Sequence, residues 1–161
     1  MNQLIDMTRG NSMKKVSAVF LALACTFGFS SVHAAPAAIT GAKIETTACD
    51  VLDESVAPSK SKDVHAAFDC SADANMIRVA ACHVAGRKKA EKITCTSIGT
   101  GADGEPIFLG TCNATTAEID SGTNGKAFAG TSSGGGIAAV GLAAACDATS
   151  INTPATIPTG G

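Results

Sequence analysis

Six cysteines, Cys49, Cys70, Cys82, Cys95, Cys112 and Cys146, follow a leader with the plan of a secretory signal. An even cysteine count in an exported chain reads as a disulfide framework, although spacing does not choose among the possible pairings. This constrains the fold more than any other feature, because the rest of the chain has little to bury. Removing the leader after Ala34 leaves 127 residues, of which 22 are Ile, Val, Leu or Phe, with Phe68, Phe108 and Phe128 the aromatic side chains. That share lies under the roughly 20% that marks disorder in highly charged chains, but nine basic against thirteen acidic residues give a net charge of −4, too low to force it. In the chain-entropy view a disulfide closing a loop of about 15 residues contributes on the order of 3 kcal/mol. Three of them rival the roughly 5 to 15 kcal/mol that a whole domain retains.

The leader has its own logic. Met13 opens Lys14-Lys15 and then the apolar run 16–29, ending in Val32-His33-Ala34, small at the two positions that matter for cleavage. The expectation is a signal peptide over 1–34 with its start at Met13. The run is interrupted by Cys25, Thr26 and Gly28 and is shorter than the roughly 20 apolar residues of a membrane span, so no span is expected. Ala22-Leu23-Ala24-Cys25 is similar to a lipobox, which makes a lipidated Cys25 the competing outcome.

The mature chain reads as a single, mainly β domain over 35–148, an antiparallel sandwich or open barrel with at most one or two short helices. A flexible tail is expected over 149–161, where Pro154, Pro158 and a terminal Gly pair stand. A first strand is expected over 42–51. Ser61 is placed to cap a short helix over 62–68 with Asp63 in its first turn. The clearest strand pair is 76–84 with 92–98. Period-2 alternation places Met76, Arg78, Ala80, Cys82 and Val84 on one face, and Ile77, Val79, Ala81 and His83 on the other. A further strand is expected over 107–112. The Gly/Ser/Thr tract 121–136 reads as a flexible loop or irregular hairpin, and 137–145 as a buried strand in competition with a helix.

No motif carries chemistry. Gly99-Thr100-Gly101-Ala102-Asp103-Gly104 fits half of the dinucleotide fingerprint, but Glu105-Pro106 follows where a helix must begin, so a glycine-rich turn between strands is expected. Ser59-Lys60-Ser61-Lys62 satisfies S-x-x-K without the partner motifs of that enzyme class. Asn124-Gly125-Lys126 lacks the first glycine and the Ser or Thr of a phosphate loop. Cys82-His83 needs a free thiolate to ligate a metal, which disulfide pairing removes. No catalytic, cofactor or metal residues are therefore expected, and the chain is not read as an enzyme. The Arg87-Lys88-Lys89 cluster is a small basic turn rather than a field for nucleic acid.

Gly41, Ile44, Cys49 and Val51 resemble the first strand of chaperone-usher fimbrial subunits, which run glycine, aliphatic, then cysteine followed two residues later by an aliphatic. Three disulfides in place of the family's usual one, and Thr159-Gly160-Gly161 where many such subunits carry a penultimate Tyr, depart from it. The resemblance implies a pilin-like or filament-forming subunit that reaches the cell surface through the bacterial periplasm. It would assemble with itself by strand addition, with a possible assembly chaperone, and Ile39, Ile44 and Val51 are its expected assembly residues. The alternative is a secreted or periplasmic binding module, an adhesin or inhibitor, presenting the loop 121–136. The lack of Tyr and Trp anchors counts against that.

Overall fold

A computed structural model describes residues 35–134, 136–153, 156 and 157. The leader, with Met13, Cys25 and the Val32-His33-Ala34 site, lies outside the described residues. The main element is a five-stranded antiparallel sheet in the order β1-β2-β3-β8-β9, built from β1 (Ala37–Ala38), β2 (Val64–Ser71), β3 (Met76–His83), β8 (Lys126–Thr131) and β9 (Ala138–Gly141). Between β3 and β8 the chain makes two small ribbons. In one, β4 (Lys92–Thr94) pairs with β7 (Glu118–Asp120), and in the other β5 (Gly99–Thr100) pairs with β6 (Pro106–Ile107). A one-turn helix, α1 (Ala148–Ile151), follows β9. The class is the expected one: mainly β, antiparallel and with one short helix, and no closed barrel forms among the described residues.

Register explains how so few large side chains make a core. Ala38 pairs with Ala67, Ala67 with Ala80, Ala80 with Ala129 and Ala129 with Ala138, so one row of alanines crosses all five strands. Paired residues share a face, and Ala67, Ala80, Ala129 and Ala138 of this row make a flat floor on the inner face, with Ala38 exposed at the β1 edge. Ile98, Ile107, Leu109, Leu142, Ile151 and Ile157 from the ribbons and the C-terminal segment are buried in the same cluster. The floor takes no bulk, and the second layer supplies it.

Three disulfides tie these parts together: Cys82–Cys146 and Cys95–Cys112, with sequence separations of 64 and 17, hold the second layer, and Cys49–Cys70, with a separation of 21, lies on the opposite face of the sheet. Cys82–Cys146 ties the middle of the sheet to the segment leading into α1, and Cys95–Cys112 staples the insertion between β3 and β8. All six cysteines among the described residues are thus paired. Three disulfides are consistent with an extracellular or secreted protein. No helix among the described residues is long and apolar enough to cross a membrane.

Several local expectations are corrected. Residues 62–68 are not a helix. Asp63 takes a positive φ of 61° and β2 begins at Val64, because its eight-residue pairing with β3 outweighs the helix preference of two alanines, worth under about 1 kcal/mol per residue. The strand expected over 42–51 is an isolated bridge, Ile44 to Val56, followed by turns in which Ala48 and Cys49 donate to the Glu45 carbonyl. The disulfide to Cys70 sets that path. The strand expected over 92–98 stops at Thr94, and the one expected over 107–112 is β6, ending at Ile107. The tract 121–136 contains β8, an inner strand whose Ala127 and Ala129 point to the core and whose Phe128 points outward. The tail expected to be mobile contributes α1 together with fully buried Ile151 and Ile157.

Candidate functional site

The outer face of the sheet and its β1 edge are the parts of the described chain that present unpartnered binding potential. On the inner face of β3, Met76, Arg78, Ala80 and Cys82 are buried. On the outer face Ile77 and Ala81 are half-buried and Val79 is 42% exposed. Phe128 pairs with Ala81 across β3 and β8 and stands 53% exposed beside them, and Ile137 at the entry to β9 is 78% exposed. Together they line a shallow groove of about 590 Å³ with Gly130 at its floor. On one flank Ala66 and Phe68 of β2 are buried. On the other, Gly141 of β9 lies against the Ser121 backbone, so closely that a Cβ there would meet the Ser121 carbonyl. The open strip is therefore β3, β8 and the start of β9.

Charge is divided between the two ends of this strip. At the Ile77 end, Cys70 holds Cys49 on the outer face, and Asp50 and Asp53 stand exposed in the turn after Cys49. Asp73 is exposed in the turn joining β2 to β3. That turn is closed by Asn75, which takes a φ of 46° and donates to the Ala72 carbonyl. At the His83 end a second groove of about 380 Å³ runs from Phe128 and Ala81 to His83 and Arg87. Arg87, Lys88 and Lys89 are exposed there, with Arg87 3.4 Å from Glu91. Glu91 also pairs with Lys126, the first residue of β8.

The expected assembly residues fall on three different local structures. Ile39 continues β1 and donates its N–H to the Ala66 carbonyl at 2.8 Å. Ile44 exchanges hydrogen bonds with Val56 in the isolated bridge, and Val51 is half-buried in the turn after Cys49. Ile39 alone of the three lies along the sheet edge. β1 occupies two of the eight positions of β2.

The motifs set aside from sequence sit in ordinary surroundings. Gly99–Thr100 pairs with Pro106–Ile107, so the G-x-G-x-x-G run is the turn of a ribbon, with Gly104 at a φ of 85°. Ser59, Lys60, Ser61 and Lys62 are exposed, and Gly125 takes a φ of 102° at the bend into β8. His83 is exposed on β3, its Nδ1 accepting from the Ala85 N–H. At α1 the Asp147 carboxylate accepts from the Ser150 and Thr149 N–H groups, Ser150 first, which holds its pKa below the usual carboxylate value. No cluster of three His, Cys, Asp or Glu side chains among the described residues is arranged to hold a metal ion.

Sequence reasoning placed Ile77, Val79 and Ala81 on one face but did not assign that face an outward role. The available signal was that both faces of β3 are apolar while the neighbouring sequence supplies too little bulk to cover both. Phe128 was hidden in a Gly/Ser/Thr tract whose composition masks period-2 alternation. Compared with known proteins, the chain matches no family model, no curated protein and no solved structure.

Proposed function

We propose that this chain is an exported, non-catalytic structural subunit that assembles with copies of itself at the cell surface by strand exchange through β1. The observation that carries this reading is the incomplete edge: a two-residue β1 against an eight-residue β2. A strand so short is held by few hydrogen bonds, and the same bonds form when it pairs with β2 of another copy, so exchange costs little. Ile44 is held to Val56, and the five residues between Ala38 and Ile44 reach about 17 Å when extended, several times the roughly 4.8 Å spacing of paired strands. With Ile44 in place, β1 can therefore leave its own β2 and pair with the β2 edge of an adjoining copy. Passed from copy to copy without closure, such a contact builds a filament. An assembly chaperone that guards the open edge before exchange belongs to the same reading, and co-purification from the export compartment tests it.

Light scattering on the exported chain, with an N-terminus at Ala35, tests the proposal against an Ile39→Pro variant that lacks the N–H given to Ala66. The unaltered chain should form species whose mass grows with concentration, and Ile39→Pro should stay small while keeping its three disulfides. A monodisperse monomer at every concentration would overturn strand exchange and point instead to a secreted binding module.

A further inference from the structure

We infer that the open outer face of the sheet pairs with the same face of a second copy, across a two-fold axis perpendicular to β3. The inference rests on the reading that the chain self-associates, but uses a different surface from the β1 edge.

Val79, Phe128 and Ile137 are the largest exposed apolar side chains on one continuous strip, and they sit on rigid strands rather than on a loop. β3 is about 27 Å long and three strands are about 14 Å wide, so the strip offers about 400 Å² per copy. Two copies bury less by this strip alone than the roughly 1,000 Å² of a specific interface. Apolar contact needs a second contribution, and the charged ends supply it.

Asp50 and Asp53, following the disulfide-held Cys49, and Asp73 lie toward the Ile77 end; toward the His83 end Arg87, Lys88, Lys89 and Lys126 outnumber Asp63, whose carbonyl accepts from the Val84 N–H, and Glu91, which pairs with Arg87 and Lys126. A two-fold axis parallel to β3 would set each end against its own kind, acid on acid and base on base. An axis perpendicular to β3 runs the facing strands antiparallel and sets each acidic end over a basic one. Like charges in contact are costly and opposite charges favourable, so the charge pattern selects the second arrangement. An isologous contact of this kind closes as a dimer and does not propagate, so it can join two filaments laterally without competing with strand exchange. Because charged ends complete a small apolar centre, the dimer should weaken as salt rises.

Sedimentation velocity in the Ile39→Pro background, which cannot exchange β1, isolates this contact. Low-salt buffer should show a monomer–dimer equilibrium. Phe128→Glu should weaken it about tenfold or more, as burial of one unpaired charge at an interface centre does. The triple reversal Arg87→Glu, Lys88→Glu, Lys89→Glu should weaken it similarly. Adding Asp50→Lys and Asp53→Lys to that triple should restore the dimer, because both ends have then changed sign together. A monomer at all concentrations, no response to Phe128→Glu, or failure of the combined reversal to restore association would each overturn the inference. Should Ile39→Pro fail to keep its three disulfides, the same series in the unaltered chain reads filament bundling by electron microscopy. Single filaments with Phe128→Glu against bundles without it support the face-to-face contact, and bundles in both overturn it. Filaments of the unaltered chain with no dimer in the Ile39→Pro background would leave strand exchange standing while this contact falls.

Discussion

Arg78 Nη1 donates to Asp69 Oδ2 at 2.7 Å across directly paired positions of β3 and β2, with both side chains 1% exposed. A fully desolvated pair in a core this small is costly to assemble, because each ion loses several kcal/mol of hydration that the partner must return. Register gives a reason for it. β2 and β3 carry Ala66-Ala67 and Ala80-Ala81, β9 carries Ala138-Ala139, and alanine fits either face of a sheet. A slip of one residue would send Asp69 or Arg78 to the outer face and break the pair, so the ion pair selects the register that alanines leave open.

Removing one partner therefore costs more than removing both. Asp69→Ala removes the carboxylate that Arg78 Nη1 meets in the core and should lose about 3 to 5 kcal/mol in urea unfolding. Asp69→Leu combined with Arg78→Met should recover most of that loss. Equal loss in the single and double variants would contradict the account.

The alanine floor makes a second prediction. Ala80 is fully buried at the middle of the row, under the aliphatic layer, so Ala80→Leu should destabilise by about 1 to 3 kcal/mol through overpacking, while Val79→Leu on the open face should be near neutral. Thermal unfolding of the two variants side by side checks it.

The disulfides should rank by the loop they close. Cys82–Cys146 spans 64 residues and should contribute about 4 kcal/mol, against about 3 kcal/mol for Cys49–Cys70 and Cys95–Cys112 at 21 and 17. Paired Cys→Ala variants measured by chemical denaturation give the order. A chain least affected by loss of Cys82–Cys146 would contradict the ranking.

How much of this was legible follows from what each residue must do locally. The alternation in β3 depends on its own side chains, so it was readable, as were the pairing of all six cysteines and the ribbon turn at Gly99 to Gly104. β2 was not. Ser61, Asp63 and two alanines present a local helix signal, and the partner that overrules it, β3, is named by register and not by composition. The same holds for β8, where small residues suit an inner strand but resemble a loop. Ile157 was missed because prolines on either side mark a tail, while its burial depends on a floor built from residues distant in sequence. Of the expected assembly residues, Ile39 lies along the sheet edge, where its N–H reaches the Ala66 carbonyl, whereas Ile44 sits in the bridge to Val56 and Val51 in the turn after Cys49.

The cap of α1 gives a pH prediction. Asp147 has a folded pKa below its ordinary value, first through the Ser150 N–H, so its contribution is present above the unfolded carboxylate pKa. It is lost as pH falls through the lowered folded value. Asp147→Asn should keep the cap hydrogen bonds and flatten this acid limb of stability, and Asp147→Ala should lower stability at neutral pH as well. An unchanged acid limb in Asp147→Asn would contradict the assignment.

Electron microscopy of the protein, purified with its disulfides intact and concentrated, tests the central claim most directly. The account predicts filaments from the unaltered chain and none from Ile39→Pro, with both chains folded and fully oxidised. Dispersed single particles from the unaltered chain at every concentration, or filaments that persist in Ile39→Pro, would contradict assembly through β1.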